Sequence, residues 1–176
     1  IRNERTGAFA EALLGNWQLA ADMGWRDKRL DTTQSGFRFG YDIDAQQTAL
    51  RARHAAPLAG LKNVLVFGHD RGEWKRVNRS DVAARQATSG WYVKDDITLP
   101  GGTRLSAGWR SESFDKRAGN GADQLNDRLN AWELGVSQPL DSRTHVWARV
   151  GTSYRLANVD EFSFTSPTVM IRPQTS

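Results

Sequence analysis

The sequence predicts an all-β fold, an antiparallel up-and-down meander of about eight strands that forms part of a transmembrane β-barrel. Two observations carry this prediction. Apolar and polar residues alternate with a period of two over several segments, and short turns alternate along the chain with longer polar connections. Because a strand places successive side chains on opposite faces, the alternation indicates strands with one apolar and one polar face.

The alternation is clearest between Trp17 and Arg26, where every second residue from Trp17 is apolar. The same rule holds for Thr103 to Arg110, for Leu129 to Ser137 and for Val146 to Gly151. No segment has a convincing helical period. Looser alternation predicts the remaining strands, which are Arg5 to Leu14, Gly36 to Ala56, Asn63 to Val77 and Ala87 to Leu99.

The two faces of these strands differ in a way that suits a barrel wall. The polar face mixes charged residues with glycine, as expected of a wet lumen, and the apolar face is expected to form an outward band against lipid. The expected outward band is Leu19, Ala21, Met23, Leu105, Ala107, Leu134, Val136, Ala148 and Val150. The expected opposite face carries Gln18, Asp22, Arg104, Arg110, Glu133 and Arg149.

The connections between strands alternate in length, as they do in outer-membrane barrels with short periplasmic turns and longer extracellular loops. The short turns are Gly15-Asn16, Pro57 to Lys62, Pro100-Gly101-Gly102 and Leu140 to Arg143. The longer connections are Asp31 to Ser35, Asn78 to Gln86, Lys116 to Arg128 and the residues from Leu156 onward. Strand parity then requires Gly36 to Ala56 to be one long strand, although it contains the polar run Asp44-Ala45-Gln46-Gln47.

The composition argues against a membrane-spanning helix and against a nucleic-acid-binding protein. The 176 residues have a mean hydropathy of −0.61, and no apolar run reaches the roughly 18 residues of a membrane-spanning helix. The chain has no cysteine, and its net charge of +4 comes from scattered arginines rather than basic runs, so no nucleic-acid partner is expected.

Tryptophan prefers the boundary between lipid and water. The chain has seven Trp residues. Trp25, Trp74, Trp91 and Trp132 fall near the loop ends of predicted strands and Trp17 falls near a turn, which predicts two aromatic girdles.

Residues of catalytic or metal-binding type are present but not grouped. His54, His69 and His145 lie in separate predicted strands without ligand spacing, and the adjacent Asp95 and Asp96 point to opposite faces of one strand. We therefore expect no catalytic residue, no metal site and no cofactor, and we do not expect an enzyme.

Three stretches carry a resemblance to a known family. The first is Trp91 to Leu99, a Gly-Gly turn and then Leu105 to Arg110; the second is Val146 to Phe162, which contains Ser153 to Phe162; the third is Arg172 to Ser176. In order and spacing they resemble the barrel domain of TonB-dependent receptors. The resemblance implies a place in the outer membrane of a Gram-negative bacterium, contact with its lipid, import of a ferric siderophore or a similar scarce ligand, and energy from the TonB complex.

The departures from the family pattern predict a fragment. The family places a plug domain and a TonB-contacting segment before the barrel and ends the barrel on a terminal aromatic, and this sequence has none of the three. Large transporters of this class have about 22 strands. We therefore expect residues 1–176 to be a partial barrel, with TonB contacted through the missing plug. Loop residues determine the ligand, so the ligand-binding residues and the imported substrate stay unknown. No histidine lies in a predicted long loop, which argues against haem as the substrate.

The resemblance also suggests a site. It places Arg155, Asp160 and Glu161 at the outer end of the eighth strand, facing the plug, with Arg155 on the face of Arg149 and Gly151. Arginine and carboxylates inside a barrel pair to lower the cost of removing them from water. Further lumen-facing or plug-facing candidates are Arg110, Glu133 and Arg149.

Two other readings of the pattern stay open. A small complete eight-strand outer-membrane barrel would show pairing between its first and last strands. A soluble β-sandwich that binds carbohydrate would use exposed Trp and Tyr to stack on sugars and would have an apolar core between two sheets.

Overall fold

The computed structural model describes residues 1–78, 83–118, 123–157 and 172–176. No helix in those ranges is long and apolar enough to cross a membrane. The long strands are β1 (Arg2–Leu14), β2 (Trp17–Gln34), β3 (Phe37–Leu58), β4 (Leu61–Asn78), β5 (Ala83–Thr98), β6 (Arg104–Ala118), β7 (Asp123–Pro139) and β8 (His145–Gly151). Two short strands follow, β9 (Tyr154–Arg155) and β10 (Gln174–Thr175).

The eight long strands form one sheet in sequence order. Each strand pairs with its neighbours in the chain, and every pairing is antiparallel. The predicted meander is therefore confirmed. Within the described residues β1 and β8 each have one neighbour, so the sheet is open rather than closed on itself.

Tight turns fix the register of the first hairpins. Ala59 and Gly60, which join β3 to β4, both have positive φ (51° and 80°), as a two-residue type I′ turn requires. Ser35 and Gly36 repeat this geometry between β2 and β3, with φ of 52° and 80°. Between these turns β3 runs unbroken for 22 residues. The single long strand that parity required is confirmed.

The prediction of a longer connection at Asp31 to Ser35 is wrong. β2 continues to Gln34, and Thr32 and Thr33 pair with Phe39 and Arg38 of β3. Polarity suggested a loop there, but a strand that extends beyond lipid meets water on both faces and no longer needs an apolar side. Strands also extend into the connections predicted at Asn78 to Gln86 and at Lys116 to Arg128. Residues 79–82, 119–122 and 158–171 lie outside the described residues.

Cross-strand pairing separates the residues onto two faces, because directly paired residues share a face. One row of pairs crosses seven strands and is apolar throughout; its members are Ala12, Leu19, Ala52, Phe67, Val93, Trp109 and Trp132. The nine residues predicted for the outward band share this face, and the six predicted for the opposite face lie on the other. The predicted register is confirmed.

The apolar face is exposed rather than packed in a core. Leu134 is 51% exposed and Val150 is 60% exposed. Among the described residues the buried apolar side chains are only Ala52, Phe114 and Ala157. A soluble β-sandwich would bury a continuous apolar layer between two sheets, so this arrangement does not fit that reading.

Tryptophan marks one edge of the apolar face. Trp25, Trp91, Trp109 and Trp132 share that face, each at the end of its strand's apolar stretch away from the short turns. Trp17 lies at the turn end, with its ring 4.5 Å from that of His54. Trp74 lies near the end of β4 as predicted, but its predicted place in an aromatic girdle is wrong. Trp74 pairs with Ala45 and Gln86 on the polar face, because strand parity, not distance from a loop, decides which face a residue takes.

Candidate functional site

Arg110 lies at the centre of a charged network on the polar face. Its Nη1 donates to Oδ2 of Asp70 at 2.7 Å, and its Nη2 and Nε donate to Oε2 of Glu112 at 2.9 and 3.1 Å. Asp70 belongs to β4, two strands away from Arg110 on β6. Gly90 of β5 lies between them, and a Cβ there would come within 2.9 Å of Arg110 Nη2. Glycine therefore opens the path by which the guanidinium reaches Asp70.

Tyr154 completes this network from the segment that follows β8. Its hydroxyl donates to Oε2 of Glu112 at 2.8 Å and accepts from Nε of Arg110 at 3.1 Å. The side chain of Glu112 is only 13% exposed and that of Arg110 is 35% exposed. Charge-assisted hydrogen bonds in a half-buried place are stronger than those between neutral groups. The network therefore ties β4, β6 and β9 together on one face.

A second glycine makes room for an aromatic ring below Arg110. A Cβ on Gly68 would lie 2.4 Å from the hydroxyl oxygen of Tyr92, its direct partner on β5. The hydroxyl end of the Tyr92 ring therefore lies directly over Gly68 of β4. The guanidinium carbon of Arg110 is 5.8 Å from the centroid of that ring, within the range of a cation–π contact.

A separate ion cluster lies nearer the short turns. Glu133 of β7 pairs with Lys94 at 3.4 Å and also with Arg149 of β8. Gly108 again provides the space, because its Cβ would lie 3.0 Å from Cγ of Glu133. On the same face, Nη2 of Arg104 lies 2.8 Å from Oδ2 of Asp96. The polar face thus carries ion pairs along β5 to β8, while Asp95, next to Asp96, pairs with Leu65 on the apolar face as parity predicts.

The segment that follows β8 covers part of β6. Nζ of Lys116 donates to the carbonyl oxygen of Ala157. Lys116 is 1% exposed and Phe114 is 3% exposed, so both are enclosed on the polar face where this segment passes. Tyr154 and Ala157 therefore anchor the segment at two points along β6.

The sequence-predicted candidates divide between these groups. Arg110 lies in the first network, whereas Glu133 and Arg149 form the cluster near the turns. Arg155 is not at the end of the eighth strand as expected. β8 ends at Gly151, Thr152 N bonds to Trp132 O, and Arg155 lies in β9 paired with Gln174. Among the described residues β8 pairs with β7 alone, and Tyr154 and Arg155 pair with Thr175 and Gln174. Asp160 and Glu161 lie outside the described residues, and their pairing with Arg155 stays a prediction.

Asp70, Glu112 and Tyr154 were missed from the sequence. One signal was present in β4, where Gly68, Asp70 and Gly72 share a face and so place a carboxylate between two glycines. The partner of that carboxylate depends on cross-strand register, which a single strand does not reveal.

The polar face also holds a trough of about 780 Å³ beside this network. Glycines, amides, charged side chains and two tryptophans line it together, and Asp70 and Arg110 are among the charged residues. In the described part of the chain no three potential ligands are grouped to hold a metal ion. The ion pairs, the glycine gaps and the trough together form a polar surface rich in hydrogen-bonding groups.

The sequence matches no protein-family model and no curated protein. Its fold matches solved outer-membrane structures. The alcaligin outer-membrane receptor FauA of Bordetella pertussis is 15% identical, with a TM-score of 0.68 over 89% of this chain. The copper transporter OprC is 14% identical, with a TM-score of 0.71 over 98%. The ferric preacinetobactin receptor BauA of Acinetobacter baumannii is 10% identical, with a TM-score of 0.65 over 98%.

The match covers 30% of FauA and 34% each of OprC and BauA, so the chain spans about a third of their length. At these identities the likeness shows the fold alone. The chain has the fold of a stretch of barrel wall from TonB-dependent outer-membrane receptors, which is the fold that the sequence motifs predicted.

Proposed function

We propose that this chain is part of the barrel wall of a TonB-dependent receptor, located in the outer membrane of a Gram-negative bacterium, that imports a scarce nutrient. The observation that carries the proposal is the two-faced sheet. One apolar row crosses seven strands and lies exposed except at Ala52, while ion pairs lie on the opposite face. These two faces suit a barrel wall that meets lipid on one side and a water-filled lumen on the other.

The apolar face supports contact with lipid. It is edged by Trp25, Trp91, Trp109 and Trp132, and amphipathic rings of this kind collect at the membrane–water boundary. Beyond that edge the same face becomes polar, as in the paired Arg71 and Ser89. A strand that leaves the hydrocarbon region and continues into water would change in this way.

The polar face supports contact with a plug inside the barrel. The Arg110 network and the Glu133 cluster hold charged groups in fixed positions by hydrogen bonds within the wall. A wall of paired charges can pack against a polar domain without leaving isolated charges behind. In this proposal the plug carries the contact with the TonB complex, and the barrel segment needs no catalytic residue.

The structural neighbours support a proposal for the ligand class. FauA is a receptor for alcaligin, BauA is a receptor for ferric preacinetobactin, and OprC transports copper. We propose a ferric siderophore or a similar metal-bearing ligand as the substrate. The chain's own long connections, where a ligand would bind, lie largely outside the described residues.

The smaller barrel and the sandwich receive less support. β1 and β8 are not paired among the described residues, whereas a complete eight-strand barrel needs that pair. The sandwich lacks its second sheet and its buried layer in the same part of the chain.

Uptake by cells that carry or lack the full-length gene tests the proposal. We expect the protein in the outer-membrane fraction, migrating faster on gels before heating than after it, as folded barrels do. Deleting the gene should lower uptake of a labelled ferric siderophore, and deleting TonB should lower uptake equally. Recovery of the protein in the soluble fraction, or uptake that does not depend on TonB, would contradict the proposal. Parallel uptake of labelled copper separates a copper substrate from an iron one.

A further inference from the structure

Asp95 places a carboxylate within the apolar outward face. Its direct partners across the sheet are Leu65 and Ala107, and its neighbours along β5 on the same face are Val93 and Ile97. Apolar side chains therefore border it on all four sides. An ionisable residue in a lipid-facing position is costly to keep, so such a residue points to a functional contact.

One polar contact within the chain reaches Asp95. Nδ2 of Asn63 donates to Oδ1 of Asp95 at 2.5 Å, and Asn63 is only 8% exposed. Within the described ranges the other carboxylate oxygen, Oδ2, accepts no hydrogen bond, and Asp95 forms no ion pair. A carboxylate that is removed from water with one oxygen unsatisfied is unfavourable. A donor from outside this chain would remove that cost.

A matching donor lies on the same face. His54 of β3 and Asp95 of β5 both pair directly with Leu65 of β4, so Leu65 stands between them in one row. The ring of His54 packs against Trp17, with centroids 4.5 Å apart, and its nitrogens form no hydrogen bond with the residues that the structure describes. An imidazole always carries at least one N–H donor. The face thus presents an unused donor and an unused acceptor, one strand away from Leu65 on either side.

This arrangement is self-complementary about a two-fold axis. In a symmetric dimer, residue i of one copy contacts residue j of the other, and j contacts i. An axis that passes Leu65 along the membrane normal sets β3 of one copy opposite β5 of the other. Each His54 then faces the Asp95 of the other copy, and the two pairs flank the facing Leu65 side chains.

The shape of the face fits the same axis. A groove of about 530 Å³ lies beside the row and is lined mainly by apolar side chains, with three polar members, Glu11, Arg51 and His69. Leu50 of β3 and Trp91 of β5 both border this groove, and both pair with His69 of β4. The axis therefore sets Trp91 of one copy, which is 60% exposed, against β3 of the other, where the groove lies.

We propose that this face binds a second copy of the chain through reciprocal His54–Asp95 contacts on either side of Leu65. The acyl chains of lipids carry no donor for the carboxylate, whereas the chain itself supplies one at the symmetry-related position. Polar contacts between membrane-spanning elements stabilise their association. The inference rests on the proposed function, because it requires the apolar face to lie in the membrane.

Disulfide cross-linking of the full-length receptor in cell membranes, in a background without other cysteines, tests the interface. Leu65→Cys places a thiol beside the axis. Val150→Cys is the matched control, because Val150 lies on the same apolar face but four strands away, on β8. We expect a cross-linked dimer from the first variant and a monomer from the second. Equal cross-linking of both variants, or none at Leu65→Cys, would overturn the inference.

Three further variants test the proposed contact itself. In the Leu65→Cys background, Asp95→Leu or His54→Leu removes both symmetry-related pairs, and each should lower the cross-linked fraction about tenfold. The exchange of His54→Asp with Asp95→His rebuilds both pairs in reverse and should restore most of the yield. Asp22→Leu, which makes the same change on the polar face, should leave the yield unchanged. Single variants that cross-link normally, or an exchange that restores nothing, would contradict the reciprocal contact.

Failure of the inference is distinguishable from failure of the proposed function. The same strains are checked for folded receptor in the outer membrane and for uptake. A receptor that inserts and transports normally but stays monomeric contradicts this inference alone, as does one that cross-links from Leu65→Cys to a different protein. A receptor absent from the outer membrane overturns both.

Discussion

Arg110 joins side chains from β4, β6 and β9 through hydrogen bonds to Asp70, Glu112 and Tyr154. Each bond involves a charged group, and such bonds contribute about 1.5–3 kcal/mol to stability in buried settings. The 35% exposure of the Arg110 side chain reduces that contribution through solvent screening. Removing the cation matters for a further reason, because Asp70 and Glu112 would remain as two carboxylates without their shared partner.

The variant Arg110→Ala should therefore lower the free energy of unfolding of the full-length receptor by about 1–3 kcal/mol. Arg38→Ala is the matched control, since the side chain of Arg38 on β3 makes no hydrogen bond or ion pair within the described ranges. Its effect should stay within about 0.5 kcal/mol. Urea unfolding of the receptor folded into lipid vesicles measures both. A double-mutant cycle with Asp70→Asn then isolates the pair, and equal effects of the two arginine variants would remove Arg110 from any structural role.

Asp141 makes a second prediction in the turn between β7 and β8. The backbone N–H of Arg143 lies 2.7 Å from Oδ1 of Asp141 and that of Thr144 lies 2.8 Å from it. These bonds, with one from the side chain of Thr144, lower the pKa of Asp141. A lowered folded pKa means that the stabilisation is complete above the unfolded pKa and is lost as the pH falls through the folded pKa.

Asp141→Asn keeps the turn geometry but removes the charge. At pH 7 the amide hydrogens of Arg143 and Thr144 should exchange faster in the variant than in the wild type. The difference should shrink once the pH falls below the unfolded pKa of about 3.9 and toward the folded value. A difference that is independent of pH would show that the carboxylate charge does not stabilise the turn.

Among the strands, glycine determines where long side chains can lie. Gly68 and Gly24 both lie within strands on the polar face, but their surroundings differ. A Cβ at Gly68 would lie 2.4 Å from the Tyr92 hydroxyl oxygen and 2.6 Å from the Leu50 carbonyl oxygen, whereas a Cβ at Gly24 would meet nothing within 4 Å. The two positions therefore form a matched pair in which only packing differs.

Gly68→Ala should destabilise the barrel by about 1–3 kcal/mol, because Tyr92 and the backbone must shift. Gly24→Ala should be neutral or stabilising by up to about 1 kcal/mol, because alanine restricts the unfolded chain and meets no obstacle. Urea midpoints of the two variants decide between them. If both variants behave alike, the close packing of Tyr92 on Gly68 does not contribute to stability.

For the strands, alternation along the sequence predicts which face of the sheet a residue takes better than it predicts where a strand ends. Parity assigned Arg110, Glu133 and Arg149 to the polar face, and cross-strand pairing confirms it. The same reasoning missed the end of β2, because polar residues past the lipid edge carry no alternation and resemble a loop. The partners of Arg110 were missed as well, since Asp70 reaches it only through the gap at Gly90 on the strand between them.

For the whole molecule, the central property is the separation of an apolar face from a charged one across eight strands. Adjacent residues on one strand should therefore respond differently to the same change. Leu19 lies on the apolar face and Gln18 on the polar face. Leu19→Arg should destabilise the inserted receptor by up to about 2–4 kcal/mol, the cost of an arginine facing the middle of the bilayer. Gln18→Arg should change stability by less than about 0.5 kcal/mol. Similar losses in both variants would place both residues in the same environment.

The most direct test of the two-faced wall is a scan of β2 with single nitroxide labels from Trp17 to Trp25 in the full-length receptor in lipid vesicles. This segment has no cysteine of its own, so each label can be attached at one introduced cysteine. Labels at Leu19, Ala21 and Met23 should collide mainly with oxygen, which concentrates in lipid. Labels at Gln18, Ala20 and Asp22 should collide mainly with a water-soluble nickel complex. A period of two in opposite phase for the two reagents is the predicted result; equal access to the nickel complex at every position, or the reverse phase, would contradict a barrel wall with this apolar face in the membrane.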